Sequence, residues 1–497
     1  MNEIVELKEK NIVIVSPELK SFKSRAGGLG QVAEELAKSL GEFGLNIYVV
    51  SCLYKYTVIN GYRRENDFIE FNLESIGKIK IKIDKDYETS IYRTKKDNVT
   101  FIFLFNEELT EALYLGDLLK FAIFFGKGTL EALKEAKVMP HIIHLNDALT
   151  SLVLFYAKYD PQYSLFSKTK FVFTIHNAGL AYQQIHSSER LSLLNLPPFE
   201  AQKLIWNGSI NLLYGGVDNS DIVNTVSEDY AINLRINGDG LREVFTKKNV
   251  FGILNGIDVE YWRDKIYSKA TFENLLDLKK IKKTELINEI KLRTGKRLDQ
   301  EKIIAIMPRR LSSQKGFDTI MPIIERLHNE LGIQFIILGL AHPNDDIGHQ
   351  WANTFYHLHN KLEGFVFIYA FDENLAKLMY SGADLIIYPS LPNKEPCGTG
   401  YMMALVNGTP VVGTKTGGLV DVIREFDEIE ENGNGFLVWK EEYSTEAFYR
   451  KIEKAYKIYM NKNKWKKLCW NAFKTETKME HCAMEYVKRV YLPVIKS

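Results

Sequence analysis

Residues 384–423, DLIIYPSLPNKEPCGTGYMMALVNGTPVVGTKTGGLVDVI, decide the fold of this chain. The stretch opens on a continuous apolar strand, residues 385–388, of the kind that is buried on both faces of a sheet. After a turn come a helical pattern at residues 401–406 and a second, β-branched strand at residues 409–413. This order of strand, loop, helix and strand predicts an α/β fold built on a doubly wound parallel sheet.

Two loops of this stretch carry candidate chemistry. In a parallel sheet, both loops leave the carboxyl ends of neighbouring strands, where such sheets bind ligands. The first loop, residues 389–400, holds Glu395, and the second holds Thr416, Gly417 and Gly418. Each loop leads into a helix, whose N-terminal N–H groups attract anions. The pattern therefore indicates a cradle for a sugar attached to a diphosphate.

A second copy of part of this pattern lies near the start of the chain. Residues 25–32, RAGGLGQV, match residues 415–422, KTGGLVDV, at both glycines, the leucine and the final valine, and each copy begins with a cation. The first copy also follows an apolar strand, residues 11–15, and precedes a helical pattern, residues 32–40. Two similar units so far apart predict two Rossmann-like domains that face each other across a cleft.

Length and composition favour a globular protein of two or three domains. The chain has 497 residues, of which 45% are hydrophobic and 26% charged, and its net charge of +1 gives no global field to recruit nucleic acid or a membrane. The four cysteines form no C-x-x-C pair, so we expect neither a metal site nor a redox site. We expect the protein to reside in a reducing cytoplasm. We see no secretory signal and no apolar run of the roughly 20 residues that a membrane span needs.

Apolar strands recur along the chain and divide it into two halves. The predicted strands are residues 12–15, 47–50, 100–104, 142–145, 171–175 and 222–226 in the first half, and 303–307, 335–338, 366–369, 385–388 and 410–413 in the second. The turn NGID at residues 255–258 separates the halves. We expect an N-terminal domain at residues 1–255, a C-terminal domain at 256–475, and a closing helix at 476–497 that packs back on the first domain. A Lys- and Glu-rich helix at residues 275–296 is expected to point its charges into solvent.

Two cations in the second half are candidates for binding a diphosphate. Arg310 and Lys315 lie five residues apart in the loop that follows the strand at residues 303–307. Arginine offers a planar fork and lysine a point charge, and the pair can neutralise phosphate. Glu395 lies between a buried strand and a helix start, where its carboxylate can accept hydrogen bonds from sugar hydroxyls. The alternative for all three side chains is a solvated position without function.

Polar residues at two strand ends of the first half form a second candidate group. Asn146 and Asp147 follow the strand at residues 142–145, and His176 and Asn177 follow the next strand. Because the carboxyl ends of parallel strands share one edge of a sheet, we expect these side chains to lie together. The alternatives are an N-cap role for Asp147 and a buried, satisfied ring for His176.

Other enzyme classes are not supported by the motifs that they require. The chain has no Ser/His/Asp set with supporting spacing, and its glycine loops are not G-x-G-x-x-G. It also lacks the G-x-x-x-x-G-K-[ST] of a P-loop. A dinucleotide-binding or P-loop interpretation is therefore disfavoured.

Taken in order, the motifs resemble those of the bacterial glycogen synthase and plant starch synthase family over nearly the whole chain. The family's K-T-G-G-L, H-x-H-D and T-I-H-N correspond to residues 25–29, 144–147 and 174–177, and its L-N-G-I-D, R-L-x-x-Q-K-G, E-P-C-G and T-G-G-L are intact at residues 254–258, 310–316, 395–398 and 416–419. The resemblance implies the GT-B fold, made of two Rossmann-like domains. It also implies transfer of glucose from ADP-glucose to the non-reducing end of an α-1,4-glucan, with retention of configuration.

The resemblance further implies roles for single residues. The implied catalytic residues are Arg310, Lys315, Glu395 and Asn146, and the implied substrate-binding residues are Arg25, Gly27, Gly28, Asp147, His176, Asn177, Phe371, Cys397, Gly398, Thr399, Thr416, Gly417 and Gly418. Phe371 stands where the family stacks a tyrosine on adenine. No metal and no cofactor are expected, because cationic side chains take the place of a metal. The expected partners are a nucleotide sugar and an α-glucan polymer.

Two replacements leave alternatives open. Asn146 stands where the family has a histidine, and Arg25 stands where it has a lysine, and neither pair of side chains is equivalent in hydrogen bonding. The alternatives are a related retaining transferase with a different donor or acceptor, and a non-catalytic glucan-binding homologue. For the transferase we expect front-face substitution, which needs no protein nucleophile.

Overall fold

The computed structural model describes residues 2–24, 27–59, 62–342 and 345–497. The chain divides into two compact units. Unit 1 contains the residues up to Asn255 together with Met479–Ser497, and unit 2 contains Gly256–Lys478. The division after Asn255 falls within the turn that separates the two halves of the sequence.

Unit 1 is built on a nine-stranded mixed sheet. In chain order the strands of the unit are β1 (Asn11–Val15), β2 (Asn46–Cys52), β3 (Tyr56–Ile59), β4 (Tyr62–Glu65), β5 (Glu74–Lys82), β6 (Asp86–Lys96), β7 (Val99–Phe105), β8 (Ile142–Asn146), β9 (Lys170–Ile175), β10 (Ile185–Ser187), β11 (Ile205–Trp206), β12 (Ser209–Asn211), β13 (Ile222–Thr225) and β14 (Phe251–Gly252). The order across the large sheet is β14-β13-β9-β8-β1-β2-β7-β6-β5, with β5 and β6 forming an antiparallel edge on an otherwise parallel sheet. The six strands predicted for the first half are confirmed as β1, β2, β7, β8, β9 and β13.

Helices of unit 1 cover both faces of this sheet. Those before the division are α1 (Asn2–Val5), α2 (Leu29–Glu42), α3 (Leu118–Glu135), α4 (Ser151–Tyr159), α5 (Pro198–Ala201), α6 (Leu212–Asn219), α7 (Glu228–Ile236) and α8 (Arg242–Lys247). In β1, Val13 and Val15 pack into one apolar cluster with α3 and α4, whereas Ile12 and Ile14 pack into another with α2. Because both faces are covered, the strand is apolar throughout, which is the pattern that predicted it.

Unit 2 contains an entirely parallel six-stranded sheet. Its strands are β15 (Ile304–Pro308), β16 (Gln334–Leu338), β17 (Phe365–Ile368), β18 (Leu385–Tyr388), β19 (Val411–Thr414) and β20 (Gly435–Val438), in the order β17-β16-β15-β18-β19-β20. The first five were predicted. β16 and β17 follow on one side of β15, and the chain then returns to place β18, β19 and β20 on the other side. The loops after β15 and β18 therefore diverge at a topological switch point, where doubly wound sheets bind ligands.

The helices of unit 2 are α9 (Val259–Trp262), α10 (Leu275–Thr294), α11 (Phe317–Leu331), α12 (Asp346–Lys361), α13 (Glu373–Gly382), α14 (Gly400–Leu405), α15 (Gly418–Val422), α16 (Thr445–Tyr459) and α17 (Lys462–Phe473). The prediction that α10 points its charges into solvent is wrong for Lys279, Lys282 and Lys283, which are buried. Lys279 donates to Thr409 Oγ1 at 2.8 Å, and Lys283 lies 2.7 Å from Asp384 Oδ2. The long apolar stems pack inward because each ammonium finds acceptors there.

The chain ends within unit 1. After Met479 it forms α18 (Met479–Tyr486), a π-helical turn (Val487–Tyr491) and α19 (Leu492–Lys496). Their apolar side chains join the cluster that contains Ile12, Ile14 and the buried face of α2. This closing segment therefore completes one of the two apolar layers of the large sheet.

Candidate functional site

The centre of the candidate site lies at the switch point of unit 2. The carboxylate of Glu395 is buried there, and its Oε2 accepts hydrogen bonds from Lys315 Nζ at 2.6 Å, Arg309 Nη2 at 2.9 Å and Ser390 Oγ at 3.0 Å. Within the described part of the chain, no group donates a hydrogen bond to its Oε1. One oxygen is thus fixed from three sides, and the other can accept a hydrogen bond from a ligand.

Burial and neighbouring cations set the charges of this cluster. Burial disfavours the ionised form of Glu395, but Lys315 and Arg309 hold the pKa of its carboxyl below the usual value. Burial lowers the pKa of Lys315 to about 8, although the charge of Glu395 acts in the opposite direction. Arg310 lies near enough for its charge to lower the pKa of Lys315 further. Positive charge exceeds negative charge, as an anionic ligand requires.

Arg309 is a residue of this cluster that sequence reasoning missed. Its guanidinium contacts Glu395 and Ser390 through Nη2, and its Cζ lies 3.7 Å from the centroid of the Tyr388 ring. The sequence singled out its neighbour Arg310. Because β15 is buried on both faces, no alternation along the strand indicates which of two adjacent arginines points toward the carboxylate. The signal that was present is the position of Arg309 directly after a switch-point strand.

Two glycines allow the loops of the site to approach one another closely. Gly417 has a φ of 53°, and a Cβ at this position would overlap the backbone oxygen of Glu395. Gly316 has a φ of 71°, and a Cβ there would overlap the backbone oxygen of Pro389. Only glycine adopts this left-handed conformation without steric cost. These contacts hold the loops after β15, β18 and β19 together.

The other residues predicted in unit 2 lie on the same loops, with one exception. Cys397 and Thr416 are buried, Gly398 has a positive φ, Thr399 directly precedes α14, and Gly418 begins α15. The exception is Phe371, which follows β17 and is 65% exposed, so a flat ligand can stack on its ring. The helices α14 and α15 have only six and five residues, whereas α11, with 15 residues, is the long helix that begins beside Lys315.

The predicted residues of unit 1 meet at the ends of β8 and β9. The Oδ1 of Asn146 lies 2.9 Å from His176 Nε2, and its Nδ2 donates to the backbone oxygen of Val15 at 3.1 Å. Asp147 Oδ1 accepts hydrogen bonds from the backbone N–H groups of His176, at 2.7 Å, and Asn177, at 3.4 Å. The expectation that these four residues lie together is therefore met.

The carboxylate of Asp147 joins two strand ends and does not cap a helix. The residue precedes a 3-10 turn, Ala148–Thr150, but its side chain makes no cap hydrogen bond there, so the N-cap interpretation is wrong. Burial raises the pKa of Asp147 to about 7, although the hydrogen bonds from His176 and Asn177 lower it. Burial also lowers the pKa of His176 to about 4, so this ring is neutral at physiological pH.

The glycine loop near the start of the chain rests on a buried carboxylate. Arg25 lies outside the described residues. The backbone N–H of Gly27 donates to Glu18 Oε2 at 3.0 Å, and Gly28 is exposed directly before α2. The hydroxyl of Tyr114 donates to the other oxygen of Glu18. Sequence reasoning did not find Glu18, because a single acidic residue after an apolar strand has no distinguishing pattern.

A buried polar network ties β8 and β9 to the closing segment. His144 lies 2.8 Å from Tyr491 Oη through Nδ1 and 2.7 Å from Thr174 Oγ1 through Nε2, and Thr174 donates to Asn224 Oδ1 at 2.8 Å. Because the threonine hydroxyl has one hydrogen, His144 Nε2 donates to Thr174 and Nδ1 accepts from Tyr491. Burial lowers the pKa of His144 to about 3, which keeps the ring in this neutral form.

Comparison with known proteins identifies the family. The model of the starch synthase catalytic domain matches residues 11–247, and that of glycosyl transferases group 1 matches residues 288–468. A glycogen synthase of Thermosipho melanesiensis is 32% identical over 494 residues, which cover 96% of this chain and 98% of that protein. This chain belongs to the glycogen synthase family. A second family member, from Thermotoga maritima, is 32% identical over 493 residues that cover 96% and 97% of the two chains.

A solved structure shares the fold. The catalytic domain of starch synthase IV from Arabidopsis thaliana, bound to ADP and acarbose, matches with a TM-score of 0.83 over 98% of this chain and 99% of that chain, at 23% identity. The predicted GT-B fold is therefore confirmed. As a member of the glycogen synthase family, the chain is a glycosyltransferase.

Neither a metal cluster nor a membrane span is found in the described part of the chain. No group of three or more His, Cys, Asp or Glu side chains among residues 2–24, 27–59, 62–342 and 345–497 is placed to hold a metal ion. Across the same ranges, no helix has both the length and the apolar character that crossing a bilayer requires. All four cysteines are described, and they are buried and not joined by disulfides.

Proposed function

We propose that this chain is a glycogen or starch synthase that transfers glucose from ADP-glucose to the non-reducing end of an α-1,4-glucan with retention. The observation that carries the proposal is the Glu395 cluster at the switch point, in which a carboxylate with one available oxygen lies beside the buried guanidinium of Arg309 and the ammonium of Lys315. The identity to glycogen synthases over nearly their whole length supports the same reaction. The Arabidopsis relative was solved with ADP and acarbose, which supports an ADP-linked donor and a glucan acceptor.

The proposed donor site uses the loops of unit 2. Lys315 and Arg310 neutralise the diphosphate, and Glu395 accepts a hydrogen bond from a sugar hydroxyl through Oε1. The exposed ring of Phe371 stacks on adenine. The loops that carry Cys397, Gly398, Thr399, Thr416, Gly417 and Gly418 hold the sugar and the phosphates. The donor is a substrate, and the proposal includes neither a cofactor nor a metal.

The proposed reaction is a front-face substitution at C1 of the glucosyl group. The bond from C1 to the diphosphate oxygen breaks, and the acceptor's 4-hydroxyl oxygen bonds to C1 on the same face. The hydroxyl proton passes to the leaving diphosphate, so no protein nucleophile takes part. Lys315 and Arg310 stabilise the negative charge that develops on the leaving oxygen.

The strand ends of unit 1 supply further proposed substrate contacts. These come from Asn146, Asp147, His176, Asn177 and the loop with Arg25, Gly27 and Gly28. Because Nε2 of the neutral His176 ring donates to Asn146 Oδ1, its Nδ1 can accept a hydrogen bond from a sugar hydroxyl. We place the reaction in the cytoplasm, which four buried cysteines without disulfides support.

A donor panel tests this proposal. Purified protein is incubated with glycogen and either ADP-glucose, UDP-glucose or another nucleotide sugar, and nucleotide release and polymer growth are measured together. We expect both with ADP-glucose. Growth with a non-glucose donor alone would favour a related retaining transferase, the alternative that Asn146 in place of a histidine supports. Binding of glycogen without nucleotide release from any donor would contradict an enzymatic role.

A further inference from the structure

We propose that Arg309 is a positioning residue for Glu395, which keeps this carboxylate ionised and oriented while Lys315 turns its charge to the donor's diphosphate. The inference rests on the proposed function and adds a residue to it. Arg309 and Arg310 are adjacent in sequence but have different proposed roles. Arg309 positions the carboxylate of Glu395, and Arg310 binds the phosphate.

The guanidinium of Arg309 is held on its edge and on its face. Its Nη2 donates to Glu395 Oε2 and to Ser390 Oγ, both at 2.9 Å. The Tyr388 ring lies 3.7 Å from Cζ and covers the face of the group. With a side chain that is only 5% exposed, Arg309 has no room to turn toward a ligand and still keep these contacts.

Lys315 is built differently. Its ammonium has three N–H donors, and among the described residues its one side-chain acceptor is Glu395, at 2.6 Å. Its side chain is 13% exposed, more than twice the value for Arg309. A flexible four-carbon stem carries the charge. Lys315 is therefore the cation that can contact both the carboxylate and an incoming phosphate.

When Lys315 contacts both Glu395 and a diphosphate, Glu395 needs a second counter-charge, which Arg309 provides. When a diphosphate binds Lys315, part of the charge that neutralised Glu395 is redirected, and a buried carboxylate without a full counter-charge takes up a proton. A protonated Glu395 loses one acceptor oxygen that the sugar needs. An arginine side chain carries its charge throughout the physiological pH range, so the Arg309 guanidinium supplies a constant counter-charge during donor binding.

Few charged groups face Glu395. Its carboxylate interacts with Arg309 and Lys315 after β15 and with Tyr388 at the end of β18. Arg310 acts on Lys315, and the remaining neighbours lie beside Tyr388 or Arg309: Tyr380 of α13, Cys397, Tyr401 of α14 and Tyr443. Burial raises the pKa of Tyr388, Tyr401 and Tyr443, so these phenols stay neutral. The protonation of Glu395 thus depends on Lys315 and Arg309.

The test compares R309M with R309K and a matched control, R326M. Arg326 also stacks on a tyrosine, with Cζ 3.6 Å from the Tyr449 ring, and also contacts a carboxylate, with Nε 3.2 Å from Glu330 Oε2. It differs in being 43% exposed and in lying in the second half of α11, outside the site loops. For each variant, kcat and kcat/KM are measured between pH 5 and pH 9, the range in which a raised carboxyl pKa becomes visible.

In R309M the pH at which kcat falls on the acidic side of its profile, its acidic limb, should rise by about one unit or more. The reason is that an opposite charge at this distance lowers a carboxyl pKa by about 1–3 units, and the variant lacks this charge. The limb of kcat/KM should move less, since it reports the free enzyme, in which Lys315 still neutralises Glu395. At neutral pH kcat should fall about tenfold or more, as for other supporting residues. R309K should return the limb toward that of the unaltered protein, and R326M should leave both profiles unchanged.

Unchanged limbs in R309M, or equal shifts in R309M and R326M, would overturn the positioning role. If R309M does not fold, S390A provides the test, because Ser390 contacts both Arg309 and Glu395. In S390A the acidic fall of kcat should move to higher pH, as in R309M. An acidic fall that stays in place would overturn the inference. If the unaltered protein turns over no donor, the proposed function fails separately. Calorimetry of ADP binding then provides the test. R309M should take up more protons when it binds ADP than R326M does, and equal proton uptake would contradict the inference.

Discussion

Lys283 and Asp384 form a buried ion pair, with Nζ and Oδ2 2.7 Å apart, that joins α10 to the start of β18. The same Oδ2 accepts a hydrogen bond from the backbone N–H of Ile304, the first residue of β15, at 2.8 Å. One carboxylate thus fixes the amino ends of both switch-point strands. The carboxyl ends of these strands carry the loops with Lys315 and Glu395.

We predict that Lys283→Met destabilises the protein strongly. Removing the ammonium leaves Asp384 as a buried, uncompensated charge, which costs about 3–5 kcal/mol of unfolding free energy. The control is Lys280→Met on the same helix, where the lysine is 66% exposed and 3.7 Å from Glu301; exposed pairs contribute about 0–1 kcal/mol. Urea unfolding measures both, and equal losses would show that burial of the pair does not matter.

Substitution of the central charges should abolish most turnover. Lys315→Ala and Glu395→Ala should each lower kcat about a hundredfold or more, the scale of losing one group that stabilises a developing charge. Lys361→Ala is the control, since its ammonium lies 2.7 Å from Glu325 in an exposed pair. Its rate should equal that of the unaltered protein. Near-normal rates in both site variants would remove the site assignment.

The pH dependence of donor use should report Lys315. Burial lowers the pKa of its ammonium to about 8, so the group is charged below this pH and loses its charge as the pH rises through it. Because a diphosphate needs the charged form, kcat/KM for ADP-glucose should fall above about pH 8. Lys315→Arg, which does not titrate in this range, should move that alkaline limb upward. A limb that stays in place in Lys315→Arg assigns the titration to another group.

A methyl group at Gly417 should disturb the carboxylate loop. A Cβ there meets the backbone oxygen of Glu395, and φ is positive, so Gly417→Ala adds a clash to backbone strain. Gly295→Ala is the matched control, because its φ of 77° is also positive but the surrounding space is open. Strain alone costs about 1–3 kcal/mol in either variant. Only Gly417→Ala should also lower kcat, by about a hundredfold if the loop shifts by roughly 1 Å.

The sequence predicted the parallel strands of each sheet except β14 and β20, and it also missed the antiparallel strands β5 and β6. Strands buried on both faces, such as β8 and β15, are continuous apolar runs and stand out without an alignment. The edge strand β5 alternates lysine and isoleucine because one face is solvated, and a search for apolar runs passes over it. The short strand β20 contains a glycine and lies at one edge of the parallel sheet of unit 2.

The site was predictable where a loop follows a predicted strand. Lys315 and Glu395 were found in this way, and they lie 2.6 Å apart. The role of Arg309 depends on which side of a fully buried strand end it emerges from, and the sequence does not encode that as a pattern. Burial of Lys283 depends on Asp384, about a hundred residues away, so composition alone indicated a solvated helix.

Labelled transfer tests the central claim most directly. The protein is incubated with glycogen and ADP-glucose that carries label in the glucose, and the polymer is then digested with β-amylase, which releases maltose from non-reducing ends joined by α-1,4 bonds. We predict that label enters the polymer and is released as maltose, which establishes donor, linkage, configuration and chain end together. Failure of the folded protein to incorporate label, or label that remains in the polymer after digestion, would contradict the proposed reaction.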